Sequence, residues 1–414
     1  MPNRFRALRH RNYRVYFAGQ MCSLIGTWVQ FVAMNWLIYR LTESPALLGL
    51  TAFINQIPIL LLGPFAGVVA DRVNRRRLLL TTQTLAMVQA FVLAYLAFSG
   101  HIQPWHVIVL AGLLGIVNAF DVPGRQSFIV QMLGDKKDLP NAIALNSLTM
   151  NTTRLVGPSL GGFLVMGLGE SWCFLLNGFS FLAILAALSS TRIHSSGITR
   201  KTHSAWRDLR EGFHYTFGFV PIRALLLQLS VISFVAMPYT ILMPVFAGGV
   251  FGGTARTFGT LIGSAGLGAI IATLYLASRR NVKGLASVIA IAPIICGIAL
   301  MLFSQSRILW LSHILMMFVG FGIISHAASI NTILQLVVDE DKRGRVMSFY
   351  TMCFVGTAPI GSLVLGQIAH RIGAPTTFLL AGGCCVLVGI VFYSRLDTWR
   401  RNISASPALH GIIP

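Results

Sequence analysis

The stretch GVVADRVNRRR, residues 67–77, places one acid and four arginines between two long apolar segments. The apolar run before it covers Ala46–Ala70, and the next run begins at Leu78. A short basic loop between two such runs is typical of two membrane-crossing helices joined on one side of a bilayer. The rest of the chain repeats this alternation.

The composition predicts a membrane protein. Of 414 residues, 55% are hydrophobic and only 11% are charged, whereas soluble chains carry about 25% charged residues. A helix needs about 20 apolar residues to cross the hydrocarbon core. Twelve runs of this kind occur, near Val15–Ile38, Ala46–Ala70, Leu78–Ser99, Trp105–Val122, Ile143–Leu168, Trp172–Ser190, Ala224–Ala247, Thr257–Ala277, Leu285–Ser304, Ile308–Thr332, Val346–Ala369 and Thr376–Ser394. We therefore predict an all-α polytopic membrane protein with twelve transmembrane helices.

The net charge of +20 lies on one side of the predicted membrane. With the N-terminus inside, only Arg40, Arg256, Arg307 and Arg371 fall outside, and Arg154 lies within a span. This asymmetry follows the positive-inside rule and predicts that both termini are cytoplasmic. The basic residues then face anionic lipid headgroups, so the charge requires no nucleic-acid partner.

The longest polar interval, Thr191–Arg223, separates six spans from six. It predicts an N-terminal bundle over 1–190, a cytoplasmic linker over 191–222, a C-terminal bundle over 223–394 and a tail over 395–414. Within the interval, Trp206, Leu209, Phe213 and Phe217 recur at helical spacing. This pattern predicts an amphipathic helix, which either lies on the inner leaflet or packs on the bundle.

The two halves resemble each other. RLVGPSLGGFL at 154–164 and VGTAPIGSLVLG at 355–366 each place a proline among small residues near mid-span. Twelve spans in two repeated halves are the usual build of a secondary transporter, whose substrate site lies near the bilayer midplane between the halves.

Several motifs carry a specific resemblance. GPFAGVVADRVNRRRL resembles the loop between the second and third spans of the major facilitator superfamily, and RLVGPSLGG resembles its fifth-span antiporter motif, with Gly157, Pro158, Gly161 and Gly162. DVPGRQSFI (121–129), NAIALNSLTMNTTRLVGPSLGG (141–162), CFLLNGFSFL (173–182) and RGRVMSFY (343–350) are similar to its transmembrane secretion effector branch, which includes the enterobactin exporter. The resemblance covers nearly the whole chain and implies the two-bundle transporter fold.

The resemblance also implies a gate at the cytoplasmic face, formed by Gly67, Asp71, Arg72, Arg75, Asp121 and Arg125. In the superfamily, the acid matching Asp71 meets the N-terminal end of the eleventh span, and the arginine matching Arg75 meets an acid at the position of Asp121. Asp121 lies sixteen residues past Trp105, which predicts that it shares the depth of Asp71 near the inner headgroups. The alternative is a topological anchor for a tight turn.

Asn74 occupies a position where glycine is usual in the superfamily motif. Because asparagine tolerates a positive φ better than most residues, we expect the turn to be preserved.

The fifth span contains an arginine that cannot reach water by snorkelling. Arg154 lies about fifteen residues into the span, and Ser147, Asn151, Arg154 and Pro158 share one face. A charge at this depth must face protein or a wet cavity. It either lines a cavity for an anionic or catecholate-like substrate or is satisfied by backbone carbonyls where Pro158 breaks the helix.

Two further stripes are candidates for the cavity. Gln20, Ser23, Thr27, Gln30 and Met34 share a face of the first span, which lines the cavity in this fold, although polar contacts between helices are an alternative. His326 shares a face of the tenth span with Gly322 and Ser329. It either binds a proton or packs as a neutral side chain.

The energy source follows from the family rather than from a motif. The sequence has no GxxxxGK[ST] loop, and no Asp or Glu lies deep in a span. Family membership implies proton antiport, with no cofactor and no metal, through Asp121, Asp71, His326 or the substrate itself.

The sequence therefore predicts a non-enzymatic secondary exporter of a small amphipathic molecule, a drug or a siderophore, that works as a single chain in a bacterial inner membrane. The alternatives are proton-coupled uptake of a nutrient and a non-transporting receptor or scaffold. The antiporter motif favours export over uptake. Asp71, Arg75 and Asp121, which a receptor would not need, are all present.

Overall fold

The computed structural model describes residues 3–133, 136–191, 213–279 and 284–404, without the side chain of Asp71 and a few others. Trp206, Leu209 and the end of the predicted tail, 405–414, lie outside the described residues. All regular elements in these ranges are helical, and the α-helices of seven or more residues are numbered in chain order. They are α1 (Arg11–Thr42), α2 (Pro45–Arg72), α3 (Arg75–Phe98), α4 (Pro104–Met132), α5 (Leu139–Leu168), α6 (Glu170–Ser190), α7 (Val220–Ala236), α8 (Tyr239–Val245), α9 (Ala255–Ser278), α10 (Leu285–Gln305), α11 (Leu309–Val337), α12 (Glu340–Thr351), α13 (Thr357–Ile372), α14 (Ala374–Ser394) and α15 (Leu396–Ser404).

The helices confirm the predicted fold class. Eleven helical segments in the described residues are long and apolar enough to cross a membrane, with Val220–Val250 and Lys342–Ile372 each counted as one. In the first segment a π-helical stretch, Phe246–Val250, follows α8. In the second, the π-helical stretch Met352–Gly356 connects α12 to α13. The predicted fifth span, α5, has 30 residues but is not among the eleven, because its first half is polar. The protein is an all-helical, multi-pass membrane protein.

The turn between α2 and α3 explains how asparagine replaces the usual glycine. Asn74 has φ −65°, so its backbone is not in the left-handed region. Its side-chain Oδ1 accepts a hydrogen bond from the Arg77 backbone N–H at 3.2 Å. Asn74 is therefore the N-cap of α3, a position that asparagine favours. The predicted reason, tolerance of a positive φ, was wrong.

The chain forms two compact units. Unit 1 contains Met1–Arg200 and Met243–Gly263, and unit 2 contains Lys201–Leu242 and Ser264–Pro414. In unit 1, α1 packs against α5 and α6, α2 packs against α4, and α3 packs against α4 and α6. In unit 2, α10 packs against α11 and α14, and α7 packs against α13 and α14. The segment Met243–Gly263 thus belongs spatially with α1–α6.

The distribution of polarity is the reverse of that in a water-soluble protein. Large apolar side chains such as Phe65 and Trp310 are 70% and 67% exposed. Amide side chains such as Gln30 and Asn177 are instead buried, at 3% and 1% exposed. An apolar exterior of this extent fits hydrocarbon rather than water. The buried polar groups must therefore find partners inside each unit, because lipid tails cannot provide them.

The tail predicted to begin at residue 395 starts with a packed helix. Leu396 and Trp399 of α15 are buried in the core of unit 2. The Trp399 indole N–H donates to the Pro221 carbonyl at 3.2 Å, and Arg400 donates to the Ser287 hydroxyl at 3.1 Å. This amphipathic helix therefore covers one end of α7 and α10.

Candidate functional site

The basic loop between α2 and α3 is tied to a helix end. Arg76 Nε donates to the Leu188 carbonyl at 2.7 Å, and its Nη2 donates to the Ser189 carbonyl. These are among the last carbonyls of α6, which lack intrahelical partners and carry the negative end of the helix dipole. Arg76 therefore anchors α3 to α6.

The structure gives different amounts of information on the predicted gate residues of this loop. Arg72 is exposed, and Arg75 is half-buried and engaged in a contact. A Cβ added at Gly67 would meet no atom within 4 Å. The side chain of Asp71 lies outside the described residues. The pairing of Asp71 with the eleventh span therefore stays a prediction.

Asp121 is the centre of a buried charged cluster in unit 1. Its side chain is 1% exposed. One carboxylate oxygen accepts hydrogen bonds from the Thr82 hydroxyl at 2.8 Å and from the Gln83 amide at 2.7 Å, while Arg125 donates to the other. The ion pair with Arg125 spans one turn of α4, so a helix pair supplies the whole cluster. Asp121 and Arg125, which were both predicted as gate residues, therefore form an ion pair with each other.

The cluster lies deeper than the sequence suggested. The prediction assumed that the fourth span ends near Val122, but α4 continues to Met132. Thr82 and Gln83 lie seven and eight residues into α3, about 10 Å along the helix from its start at Arg75. Asp121 therefore lies about two turns inward from the loop that carries Asp71, and the expected common depth was wrong.

Three polar atoms of this cluster have no hydrogen-bond partner among the described residues. They are the Tyr16 hydroxyl, Arg125 Nε and Gln83 Oε1. Tyr16 packs edge-on against Phe128, with 6.0 Å between ring centroids. Sequence reasoning missed Tyr16, Thr82 and Gln83. A signal was present in α3, where Thr82 and Gln89 lie seven residues apart, two helical turns, on one buried face.

A second buried polar cluster links four helices of unit 1. Asn177 Nδ2 of α6 donates to Gln30 Oε1 at 2.7 Å, and Gln30 Nε2 of α1 donates to Gln89 Oε1 at 2.9 Å. Gln89 of α3 donates in turn to the Leu110 carbonyl of α4 at 3.3 Å. Ser180 donates to Asn177 Oδ1 at 3.0 Å. We call Gln30, Gln89, Asn177 and Ser180 the amide chain.

The amide chain changes the interpretation of the first-span stripe. Gln30 is held by its neighbours inside unit 1, and Gln20 is also buried, at 4% exposed. Thr27 is exposed, and its hydroxyl donates to the Ser23 carbonyl of the same helix. A Cβ at Gly26, one turn before Gln30, would lie 2.2 Å from Ser180 Oγ, so the face of α1 that carries Gly26 and Gln30 packs against α6. Contacts between helices therefore account for Gln30.

The glycines of the fifth-span motif form a tightly packed seam. A Cβ at Gly157 would lie 2.4 Å from Trp28 Cβ, and one at Gly161 would lie 3.0 Å from the Val29 Cα, both in α1. A Cβ at Gly162 would lie 2.5 Å from the Ala255 carbonyl oxygen at the start of α9. Small residues let helix backbones approach this closely in membranes. The seam joins α5 to α1 and α9.

We expect Gly162→Ala to destabilise the protein, because the new methyl group would meet backbone atoms that cannot rotate away. Overpacking of this kind costs about 1–3 kcal/mol. The matched control is Gly167→Ala in the same helix, where a Cβ would meet no atom within 4 Å. Thermal denaturation of purified protein, followed by size exclusion, should show a lower midpoint for Gly162→Ala only. Equal midpoints for the two variants would contradict the seam.

Arg154 lies halfway along α5 and is half-buried. In the described part of the chain it makes no hydrogen bond or ion pair. The same holds for Asn151, which is half-buried, and for Ser147, which is exposed. Thr149 and Thr153, on another face of α5, are buried and bond carbonyls of their own helix.

His326 is fully buried in unit 2. Its Nδ1 lies 3.2 Å from the Ile289 carbonyl, which also accepts a hydrogen bond from Gln228 Nε2 at 3.2 Å. A Cβ at Gly322, on the same face of α11, would lie 2.7 Å from the Ala292 carbonyl. This face therefore packs directly on α10. His326 Nε2 is buried and has no hydrogen-bond partner among the described residues, so the choice between proton binding and packing stays a prediction.

The short helix over 213–218 packs against the start of the eleventh span in unit 2. The Tyr215 hydroxyl lies 3.4 Å from Asp339 Oδ2, and Lys342 Nζ lies 4.5 Å from the centre of the Tyr215 ring. Burial and the Asp339 carboxylate raise the pKa of Tyr215, against the opposing effect of Lys342. Tyr215 is therefore neutral near pH 7 and acts as a hydrogen-bond donor.

In the residues that the structure describes, no group of three or more His, Cys, Asp or Glu side chains could hold a metal ion.

The charged cluster around Asp121 and the amide chain both lie among the membrane-crossing helices of unit 1. The chain matches the transmembrane secretion effector family over residues 3–410. It is 28% identical to the staphyloferrin A transporter of Staphylococcus aureus, over 96% of this chain and 99% of that one. It is 24% identical to the multidrug efflux pump Tap of Mycolicibacterium fortuitum, over 90% and 93% of the two chains.

The fold agrees with these matches. A solved bacterial homologue of the human lysosomal transporter Spinster superposes with a TM-score of 0.73 at 15% identity, covering 95% of this chain and 98% of that one. The fold and the matches together define a transporter of the major facilitator superfamily. Within it, the chain belongs to the transmembrane secretion effector family.

Proposed function

We propose that this protein exports a small amphipathic molecule, a drug or a siderophore, across a bacterial inner membrane by alternating access in exchange for protons. The family description, secretion, supports the outward direction. The name of one relative, a siderophore transporter, and that of another, a multidrug efflux pump, support the two substrate classes. The protein works as a single chain with both termini cytoplasmic, where its basic residues contact anionic lipids.

The observation that carries proton exchange is the burial of Asp121. Among the residues whose side chains are described, it is the only buried acid. As a carboxylate it holds Arg125, Thr82 and Gln83. A proton on Asp121 would remove the negative charge that holds Arg125, and the free-energy cost of breaking a buried ion pair is large. Proton binding and release at Asp121 can therefore switch α3 and α4 between two arrangements.

The test uses everted membrane vesicles from cells that lack other pumps. The vesicles are energised, the pH gradient is followed with a fluorescent dye, and siderophores, macrolides and lipophilic cations are added one at a time. We expect a collapse of the gradient by some compounds and not others, at concentrations that leave vesicles without the protein unaffected. No compound-specific collapse with a correctly inserted protein would contradict proton-coupled export of these classes.

A further inference from the structure

Arg154 occupies a position where a free charge is costly. It is the sixteenth of 30 residues in α5, so each end of the helix is more than about 20 Å away. Insertion measurements assign an unfavourable energy to an arginine near the centre of a membrane-spanning helix. Such residues in membrane proteins pair with another group or mark a substrate pathway.

The structure supplies no such pair among its described residues. Arg125 binds Asp121, Arg40 binds Glu170 at 2.9 Å, and Arg256 lies over the Phe163 ring at 4.7 Å. Arg154 alone among these arginines of unit 1 has no described partner of any kind.

Other polar groups beside Arg154 also have no described partner. Asn151, one turn away, has no described hydrogen bond either. Pro158 lacks the backbone N–H that would otherwise bond the Arg154 carbonyl. One alternative from the sequence was that backbone carbonyls near Pro158 accept hydrogen bonds from the guanidinium. No carbonyl of the described residues does so.

The site is held on a rigid support. Gly157 and Gly161, one and two turns further along α5, contact Trp28 and Val29 so closely that a methyl group would not fit. The backbone that carries Arg154 and Asn151 is therefore fixed by α1. Preformed donors on a fixed backbone bind without the cost of ordering.

We infer that Arg154 binds an acidic group of the transported molecule, a carboxylate or a catecholate, with Asn151 as a second contact. This inference rests on the proposed function and narrows its substrate class to anions. The planar guanidinium can donate two parallel hydrogen bonds to a carboxylate. The bound anion then supplies the negative counter-charge that no described residue provides to Arg154. A lipophilic cation is disfavoured by the same charge.

The experiment measures binding to the purified protein in lipid nanodiscs by fluorescence anisotropy. The probes are fluorescein, which carries a carboxylate, and rhodamine 6G, which has a similar ring system but an esterified carboxyl and a positive charge. The variants are Arg154→Met and Arg154→Lys. Arg371→Gln, which removes an exposed arginine from the last turn of α13, is the matched control.

We expect the wild type to bind fluorescein in preference to rhodamine 6G. Arg154→Met should lose about 10- to 100-fold in fluorescein affinity, the range of a charge-assisted hydrogen bond, without losing affinity for rhodamine 6G. Arg154→Lys should retain part of the fluorescein affinity, because lysine keeps the positive charge but cannot donate two parallel hydrogen bonds. Without ligand, Arg154→Met should melt at a higher temperature than the wild type, because an uncompensated charge is removed.

Two results would overturn the inference. One is the absence of saturable fluorescein binding to the wild type, and the other is equal affinity in folded Arg154→Met. The vesicle assay separates this inference from the proposed function. If Arg154→Met exports fluorescein as well as the wild type does, export stands and the anion site fails. If fluorescein binds through Arg154 but neither fluorescein nor any compound of the vesicle panel collapses the pH gradient, the anion site stands and export fails.

Discussion

Asp121→Asn is expected to destabilise the protein and to abolish the substrate-dependent collapse of the pH gradient. The asparagine keeps an oxygen that can accept from Thr82 and Gln83, but it leaves the Arg125 guanidinium without a counter-charge. Breaking a buried ion pair by removing one partner costs about 3–5 kcal/mol. The loss should be visible as a lower midpoint of thermal denaturation in purified protein.

A double variant separates folding from transport. Asp121→Asn with Arg125→Gln removes both charges, so no buried charge is left unpaired and most of the stability should return. Transport should not return, because no titratable carboxylate remains at this position. A stable double variant that still collapses the gradient on addition of substrate would contradict proton exchange at Asp121.

Asp71→Asn is the informative comparison for this prediction. Asp71 lies at the end of α2, about two turns outward from the Asp121 cluster, where water and headgroups can compensate a lost charge. We expect it to abolish transport with the protein still in the membrane and its melting temperature unchanged. Normal transport by Asp71→Asn would show that the α2–α3 loop is an anchor only.

The sequence predicts the number and kind of spans because hydrocarbon imposes a length and a composition on each helix. It predicts their ends less well. The fourth span continues through polar residues to Met132, since a helix can extend beyond the hydrocarbon while it packs against other helices. The fifth is not among the eleven most apolar segments, because polar residues such as Asn151 in its first half and Arg154 directly after it interrupt the apolar sequence.

The sequence predicts which polar residues share a helix face, but it does not predict which residues of other helices they contact. Helical spacing indicates that Gln20, Thr27 and Gln30 are near one another on α1. It does not indicate that α6 and α3 supply Asn177 and Gln89 to Gln30, because those contacts join residues far apart in the chain. For Arg154 the sequence allowed a backbone carbonyl as a hydrogen-bond partner, but no carbonyl of the described residues accepts a hydrogen bond from it.

Gln30→Leu is expected to lower stability without lowering transport per folded molecule. Leucine has a similar volume, but it leaves Asn177 Nδ2 and Gln89 Oε1 without the partners they have in the amide chain. Interhelical hydrogen bonds in membrane proteins contribute about 0.6–1.7 kcal/mol each, so the loss of two should cost roughly 1–3 kcal/mol. Thermal denaturation of the purified variant measures this loss.

The matched control is Gln335→Leu, because Gln335 is exposed on α11 and bonds only Asn331 of its own helix. Its melting temperature should stay close to that of the wild type. Transport is then compared at equal amounts of folded protein in vesicles. If Gln30 lines the substrate cavity, Gln30→Leu will change transport or substrate preference at nearly normal stability. The contacts of Gln30 with α3 and α6 predict the reverse, because a side chain that satisfies two buried neighbours acts on the fold before it acts on a substrate.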